Sequence, residues 1–307
     1  MPPPGLNPQQ DEAARYRGGP LLILAGAGTG KTRVIVHRVA SLIGEGVDPG
    51  RILAVTFTNK AAEEMRHRVD ALAPGAGARV WVHTYHAFAA KLLRRHAVAI
   101  GLPPRFTVFD ASDSKRVVSE SLAECGMADE RPKAGLYVSV ISRAKDDLLD
   151  HQSYAIYAMA QGDAFRQNVA KVYERYQKKI SAAGGLDFGD LLLKVFELMK
   201  QDAALRDRYQ KAFEHVLVDE YQDTNHAQYV LTKTLAAPHR NLCVVGDADQ
   251  SIYAFRGANI RNILEFEGDF KDAKVVKLEE NYRSTPEILA AAGAVIANNR
   301  RRHDKAL

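Results

Sequence analysis

The stretch that decides the fold is Leu21-Leu-Ile-Leu-Ala-Gly-Ala-Gly-Thr-Gly-Lys-Thr32. It opens on a short apolar run typical of a buried strand, and a helical pattern begins near Lys31. Three alternating glycines permit a tight turn in which backbone N–H groups point inward at phosphate oxygens. Strand, glycine loop and helix together predict a phosphate-binding loop. Its residues are Ala25, Gly26, Ala27, Gly28, Thr29, Gly30, Lys31 and Thr32, with Ala25 standing where the strict pattern has its first glycine.

Two side chains of this loop carry the expected chemistry. Lys31 is expected to reach the β and γ phosphates of a nucleotide. Thr32 is expected to place its hydroxyl on magnesium, an ion that keeps several waters and accepts few protein ligands. The alternative, a merely flexible turn between strand and helix, is disfavoured by the three glycines and by the elements on both sides.

Further apolar runs along the chain predict the rest of a sheet. Because most of these runs are unbroken, they fit strands buried on both faces, as in a parallel sheet covered by helices. The predicted fold class is therefore α/β. The six candidate strands are Leu21–Leu24, Ile52–Phe57, Val80–His83, His215–Val218, Leu242–Val245 and Val275–Leu278.

A long interval interrupts the alternation of strands and helices. About 130 residues separate Thr84 from Glu214, far more than a usual crossover between parallel strands. Helical spacing dominates this interval, which predicts an inserted all-helical subdomain over residues 96–184. The sheet domain then comprises residues 1–95 and 185–277. The predicted helices are Ala111–Glu124, Tyr137–Leu149, Ala164–Ile180, Phe188–Met199 and, near the end, Pro286–Asn298.

Composition narrows the class of protein. A chain of 307 residues with only 2 Cys is no small disulfide scaffold, and its length suits about two domains. With 42 Lys and Arg against 37 Asp and Glu, the net charge of +5 permits a polyanionic partner. No apolar run approaches the roughly 18 residues of a membrane span, so we expect a cytoplasmic protein without a membrane partner.

A second strand ends in carboxylates. In Val216-Leu-Val-Asp-Glu-Tyr-Gln-Asp223, two acids directly follow an apolar run. The carboxyl edge of a parallel sheet is where α/β ligands bind. We expect Asp219 to hold magnesium and Glu220 to polarise the attacking water, whereas a kinase would activate a substrate hydroxyl. The alternative is a solvated strand end with ordinary acids. For Asp223 we expect a structural role or a loop contact.

A third strand repeats this design. Cys243-Val-Val-Gly-Asp-Ala-Asp-Gln250 leads into a polar loop, and Gln250 is placed to sense the γ-phosphate. The next residues include Tyr253, Phe255 and Arg256. From their spacing alone, the two aromatic rings are equally compatible with a core position and with a platform on which bases stack.

These residues together resemble the amino-terminal part of superfamily 1 DNA helicases of the UvrD/PcrA/Rep group. The resemblance spans nearly the whole chain, and seven motifs follow in the order of that family. They are Leu6–Gln10, Ala25–Thr32, Val55–Ala62, His83–Phe88, Val218–Thr224, Val245–Tyr253 and Leu278–Arg283. The resemblance implies a RecA-like ATPase domain that uses ATP and magnesium.

The resemblance also assigns roles around the nucleotide. It implies that Gln10 reads adenine, that Tyr282 stacks on the base, and that Arg33 flanks the nucleotide. Arg283 would reach the γ-phosphate as an arginine finger, a transition-state cation worth a factor of about a thousand or more. Lys31, Glu220 and Gln250 would complete the catalytic set.

For DNA, the resemblance implies a track for single strands and for junctions of single and double strands. Hydroxyls, amides and cations hold phosphates there, and aromatic faces stack on bases for roughly 1 to 3 kcal/mol each. Phe255 stands where relatives often carry tryptophan. The implied DNA-binding residues are Thr56, Phe57, Thr58, Asn59, Thr84, His86, Tyr253, Phe255 and Arg256. We expect His86 to form hydrogen bonds rather than to bind a metal, because no cluster of cysteines or acids accompanies it in the sequence.

The family carries a second motor domain, of which residues 278–307 would be the start. The chain is thus expected to be an amino-terminal piece that binds ATP but needs the remaining second motor domain to unwind DNA with 3′ to 5′ polarity, in repair or replication. A nucleotide-dependent DNA-binding switch or scaffold without helicase activity is the alternative. A small-molecule phosphotransferase is disfavoured, because neither the adjacent acids nor the aromatic segments serve a kinase.

Overall fold

The computed structural model describes residues 5–298, and the chain forms two compact units. The first comprises Met1–Tyr85, Ala204–Asn225 and Thr232–Leu307. The second comprises His86–Ala203 and His226–Leu231. The first unit carries a six-stranded sheet, and the second is largely helical.

Eight strands and fourteen α-helices lie within residues 5–298. The strands are β1 Leu21–Ala25, β2 Ile52–Thr56, β3 Trp81–Thr84, β4 Thr107–Phe109, β5 Gly185–Asp187, β6 His215–Val218, β7 Leu242–Gly246 and β8 Lys274–Leu278. The helices are α1 Pro8–Arg15, α2 Lys31–Gly44, α3 Asn59–Leu72, α4 Tyr85–Arg95, α5 Ala111–Glu124, α6 Ala134–Asp146, α7 His151–Gln161, α8 Ala164–Ala182, α9 Phe188–Gln201, α10 Ala203–Ala212, α11 His226–Ala236, α12 Arg261–Leu264, α13 Phe266–Asp269 and α14 Pro286–Ile296.

The large sheet has the strand order β3-β2-β6-β7-β1-β8, and every pairing is parallel. All six predicted strands belong to it, and the predicted α/β class is confirmed. Strands β1, β2 and β7 are buried along their whole length, which is why their sequences lack the alternation of a half-exposed strand. The order also puts β6, β7 and β1 side by side, so the loops at their carboxyl ends are neighbours.

The core of the first unit lies between the sheet and its helices. Ile23 and Val245 of adjacent strands pack with Val34 and Val39 of α2. Arg38 of the same helix is buried. Its guanidinium donates to the backbone carbonyl of Ala13 in α1 at 2.9 Å and to that of Tyr16, the C-cap of α1, at 2.6 Å. The core thus fixes α2, and with it the loop that precedes α2.

The second unit packs helices around buried aromatic side chains. Tyr137, Tyr173 and Tyr176 are almost fully buried there, and β4 pairs with β5 as a short parallel ribbon. The four helices predicted in this region correspond to α5, α6, α8 and α9. Helix α7 and the ribbon were not predicted. In α7, apolar residues also occupy the exposed side, as at Ile156 and Met159, so its sequence lacks a clear amphipathic period.

A buried ionic cluster fixes the start of α9 in this unit. Lys145 of α6 is fully buried, and its Nζ lies 2.7 Å from Oδ2 of Asp187 and 2.8 Å from Oδ1 of Asp190. Asp187 is also the N-cap of α9, accepting from the backbone N–H of Asp190 at 2.8 Å. Tyr176 donates its hydroxyl to Asp187 at 2.7 Å. The cluster therefore ties α6 and α8 to β5 and α9.

Within residues 5–298, no helix is long and apolar enough to cross a bilayer.

Candidate active site

The phosphate loop folds between β1 and α2 as its sequence predicts. Gly28 and Gly30 have φ angles of +78° and +87°, the left-handed region that glycine adopts without strain. Thr29 donates its hydroxyl to the carbonyl of Gly26 at 2.9 Å, which closes the turn. Ala25 ends β1 in the buried core, where no left-handed backbone is needed. Alanine is therefore compatible with this position.

The loop brings Lys31 and Thr32 to the ends of two other strands. The ammonium of Lys31 lies 3.1 Å from Oε2 of Glu220 and donates to Oε1 of Gln250 at 3.0 Å. The hydroxyl of Thr32 donates to Oδ2 of Asp219 at 3.0 Å. The five side chains come from loops after β1, β6 and β7, the three adjacent strands. The structure thus gathers the residues expected to bind phosphate, bind magnesium and position water.

Glu220 faces Lys31 because the backbone turns sharply at the end of β6. Its φ of 50° and ψ of 47° place it in the left-handed region, which is costly for a side chain with a Cβ. Such strain persists where the surrounding structure imposes it, and it concentrates at functional sites. Here the turn aims one carboxylate at the phosphate loop while leaving Asp219 beside Thr32.

Burial raises the pKa values of two carboxyl groups at this site. Desolvation and then the charge of Glu220 raise the pKa of Asp219 to about 6. The same two causes raise the pKa of Asp223 to about 6. The carboxyl groups of Asp219 and Glu220 are adjacent, so a positive charge bound beside them would favour their ionised forms. This environment fits a divalent cation.

The residues fit magnesium better than a metal that needs a protein cage. Across residues 5–298, no three His, Cys, Asp or Glu side chains come together as a metal cluster. Magnesium is usually held by one or two protein oxygens together with phosphates and waters. The Thr32 hydroxyl and the Asp219 carboxylate supply such oxygens, adjacent to the phosphate loop.

Helix α1 carries the residue predicted to read adenine. Gln10 is fully buried, and its side-chain amide donates to the carbonyl of Thr29 at 2.9 Å. Asn7 forms a capping box with Gln10 at the start of α1. The Asn7 amide also donates to the hydroxyl of Tyr282 at 2.9 Å. The predicted adenine contacts, Gln10 and Tyr282, therefore lie beside the same loop.

The segment after β8 rests on the phosphate loop. Tyr282 donates its backbone N–H to the carbonyl of Gly28 at 3.0 Å. The amide of Asn281 donates to the carbonyl of Ala27 at 2.5 Å and accepts from the backbone N–H of Arg283 at 2.8 Å. A Cβ at Gly28 would lie only 2.7 Å from the Cβ of Arg283. Asn281, which the sequence analysis missed, thus fixes the two predicted nucleotide contacts that follow it.

Arg33 also lies at this side of the loop. A Cβ added at Gly5 would come within 2.1 Å of its guanidinium, so the two residues are in close contact. The charge of Arg33 acts to lower the pKa of the Tyr282 phenol, although burial and the Glu280 carboxylate raise that pKa overall. Arg33 is therefore near the residue predicted to stack on adenine.

Three aromatic rings predicted to contact DNA form a continuous row in the first unit. The ring centroids of Phe57 and Tyr253 are 5.0 Å apart, and those of Tyr253 and Phe255 are 6.0 Å apart. Phe255 is 76% exposed, which excludes a core position for its ring. The row thus remains a candidate for the predicted stacking platform.

Polar residues predicted to bind DNA lie next to this row. Thr58 caps α3 by accepting from Ala61 at 3.1 Å, and Thr84 donates to Asn59 at 3.4 Å. Thr56 is the last residue of β2 and is buried, so its side chain packs inside the first unit. The side chain of Arg256 lies outside the part of the molecule that the structure describes.

His86 belongs to the second unit. Its ring lies edge-on to Phe188, with centroids 5.6 Å apart, and burial lowers its pKa so that the neutral form is favoured. Phe188 is 53% exposed at the first position of α9.

Taken together, the parallel sheet, the glycine loop and the acidic strand end define a P-loop nucleotide-binding protein with a RecA-like sheet domain. The chain matches the family described as the UvrD/REP helicase N-terminal domain over residues 6–271. It belongs to this family.

Several bacterial helicases are similar over nearly the whole chain. ATP-dependent DNA helicase UvrD1 of Mycobacterium tuberculosis is 47% identical over 313 residues. ATP-dependent DNA helicase PcrA is 48% identical over 309 residues in Leuconostoc citreum and 46% identical over 305 residues in Bacillus subtilis. Each alignment covers 99% of this chain but only 40% or 41% of the relative. The chain therefore spans about two fifths of the length of these helicases.

Proposed function

We propose that the chain is the nucleotide-binding portion of an ATP-dependent DNA helicase that translocates along single-stranded DNA with 3′ to 5′ polarity in repair or replication. The carrying observation is the meeting of Lys31 with both Glu220 and Gln250, beside the Thr32 and Asp219 pair. These groups supply phosphate binding, metal binding and water orientation at one point. The family and the helicase relatives support the choice of ATP and DNA.

In this proposal, Thr32 and Asp219 hold magnesium, which neutralises charge on the phosphates when it is bound. Lys31 binds the phosphate oxygens, and Glu220 accepts a hydrogen bond from the attacking water and orients it. Gln250 contacts the terminal phosphate through its amide. Gln250 contacts Lys31, which binds the phosphate, so its position responds to the nucleotide. Tyr253 of the aromatic row follows Gln250 by three residues.

Gln10, Arg33 and Tyr282 surround the base, and Arg283 supports the phosphate charge as it develops. In this proposal the ATPase domain comprises residues 1–95 and 185–277, the accessory insertion residues 96–184, and the start of the second motor domain residues 278–307. The compact helical unit is longer than this insertion, because it also holds residues 86–95 and α9. In the first unit, DNA lies along Thr56–Asn59, Thr84, Tyr253, Phe255 and Arg256. In the second unit, His86 is a separate proposed DNA contact, and the accessory insertion meets junctions of single and double strands.

The test is phosphate release by the 307-residue chain with and without single-stranded oligonucleotide, alongside direct titration of a fluorescent ATP analogue. We expect nucleotide binding that Lys31→Ala abolishes, slow hydrolysis and no unwinding. Glu220→Gln should lower hydrolysis by about 100-fold or more, because it removes the charged acceptor for water. It also neutralises the carboxylate paired with Lys31, but it keeps the lysine and the phosphate loop, so nucleotide binding should persist.

The same assay on a helicase of full family length carrying these residues separates helicase from switch. DNA-stimulated turnover that Glu220→Gln abolishes supports the helicase. Nucleotide binding without stimulated turnover would favour the DNA-binding switch. Nucleotide binding that survives Lys31→Ala would contradict the proposed site itself.

A further inference from the structure

A single buried amide joins the loop after β6 to the loop after β7. Gln222 lies two residues beyond Glu220 and is only 1% exposed. Its Nε2 donates to Oε2 of Glu220 at 2.8 Å and to Oδ2 of Asp223 at 3.3 Å. Its Oε1 accepts from the backbone N–H of Asp247 at 3.0 Å. One side chain therefore contacts both the water-positioning carboxylate and the loop that carries Gln250.

The partners of Gln222 dictate an amide at this position. Its carboxylate partners only accept hydrogen bonds, and its backbone N–H partner only donates. A glutamate at residue 222 would have no donor for Glu220, and a lysine would have no acceptor for Asp247. The fit is also tight, because a Cβ at Gly246 would lie 2.6 Å from Oε1 of Gln222. The geometry selects both the length and the chemistry of this side chain.

The contacts continue from Asp247 back to the phosphate loop. Gln250 donates its amide to Oδ2 of Asp247 at 2.6 Å and accepts from Lys31 at 3.0 Å. Lys31 in turn lies 3.1 Å from Glu220. Four hydrogen bonds and the Lys31–Glu220 ion pair thus form a closed ring through Glu220, Gln222, Asp247, Gln250 and Lys31, which passes through Asp247 from its backbone N–H to its carboxylate. A displacement of any member changes the contacts of the next.

The same loop leads into the aromatic row. Ser251, directly after Gln250, donates its hydroxyl to the backbone carbonyl of Gln222 at 3.2 Å. Two residues further on, the ring of Tyr253 packs against Phe57. Bases stacking on this row would therefore bear on a loop that Gln222 holds from two sides.

Building on the proposed function, we propose that Gln222 is the positioning residue through which nucleotide occupancy and single-stranded DNA binding affect one another. A phosphate on Lys31 and Gln250 moves the Asp247–Gln250 loop, and the Gln222 amide keeps Glu220 aligned with that loop. Stacking on Tyr253 and Phe255 acts on the same amide from the other end. Such coupling is reciprocal, so each ligand changes the affinity of the other by the same factor.

The test measures this factor without requiring turnover. The affinity of the 307-residue chain for fluorescein-labelled oligothymidylate is determined by anisotropy, with and without a non-hydrolysable ATP analogue and magnesium. We expect the analogue to change the DNA dissociation constant by about 5-fold or more. In Gln222→Met, which keeps the side-chain length and removes all three side-chain hydrogen bonds, the two dissociation constants should agree within about 2-fold. Each ligand alone should bind Gln222→Met within about 3-fold of its affinity for the unchanged chain.

Gln210→Met is the matched control. Gln210 lies in the same unit, and its amide donates to the carbonyl of Thr234 at 2.7 Å, outside the ring. This variant should keep the full coupling factor. If Gln222→Met folds poorly by circular dichroism, Gln222→Leu serves instead, because it also removes the hydrogen bonds without burying a further charge.

Two results would overturn the role of Gln222: a coupling factor near one in the unchanged chain, or an undiminished factor in the Gln222 variants. Failure of the proposed function has a different signature. In that case the unchanged chain binds neither ligand, or Lys31→Ala leaves nucleotide binding intact. The two failures are therefore distinguishable in one set of titrations.

Discussion

Replacing Lys145 with methionine tests the buried ionic cluster of the helical unit. Methionine fills a similar volume, but it leaves Asp187 and Asp190 buried without their shared cation. The side chains of Lys145 and Asp190 are fully buried, and the ammonium contacts both carboxylates within 2.8 Å. Removing one partner of a buried ion pair typically costs about 3 to 5 kcal/mol. We expect Lys145→Met to lose free energy of unfolding in that range.

A matched substitution isolates the effect of burial. Lys178 pairs with Glu174 at 2.6 Å one helical turn away, and both side chains are more than half exposed. Lys178→Met removes an ion pair and introduces the same side chain, yet an exposed pair is worth less than about 1 kcal/mol. Urea unfolding followed by far-ultraviolet circular dichroism compares the two variants with the unchanged chain.

The pH dependence provides a second check on Lys145→Met. Burial opposes ionisation of both acids, but Lys145 and Tyr176 outweigh it at Asp187 and lower the pKa of that carboxyl, whereas the pKa of Asp190 remains raised. Without Lys145, both pKa values should rise, and the variant should recover stability as falling pH neutralises the acids. Equal losses in Lys145→Met and Lys178→Met, or a loss that grows on acidification, would refute this reasoning.

Two further predictions concern other parts of the chain. Burial and then the charge of Asp147 raise the pKa of Asp146 to about 7 from its ordinary 3.8; the unfolded chain therefore ionises first, and stability should fall as pH rises from about 4 to about 7. Asp146→Asn should flatten this slope in urea unfolding, and an unchanged slope would contradict the assignment. Asn281→Asp keeps the acceptor for Arg283 but loses the donor to Ala27, so affinity for a fluorescent ATP analogue should fall by about 5- to 10-fold, as one hydrogen bond is worth about 1 kcal/mol. Affinity equal to that of the unchanged chain would show that this hydrogen bond does not support nucleotide binding.

The sequence alone determined the fold class and the chemistry of the main loops. Unbroken apolar runs such as Leu21–Leu24 predicted parallel strands, because a strand covered on both faces needs apolar side chains on both. The glycine loop and the acids at Asp219 and Glu220 were readable for a similar reason. Their function depends on residue types at fixed local spacing, which the chain carries whatever its tertiary arrangement.

Only the tertiary structure decided which of these residues meet. The order β6-β7-β1 puts three distant loops side by side, and no local pattern encodes that order. Gln222 and Asn281 lie within motifs visible in the sequence, but each also has a partner 25 or 254 positions away that local spacing does not reveal. The pairing of Lys145 with two aspartates likewise depends on helix packing. Local propensity fixes elements, whereas burial and long-range hydrogen bonds fix the contacts between them.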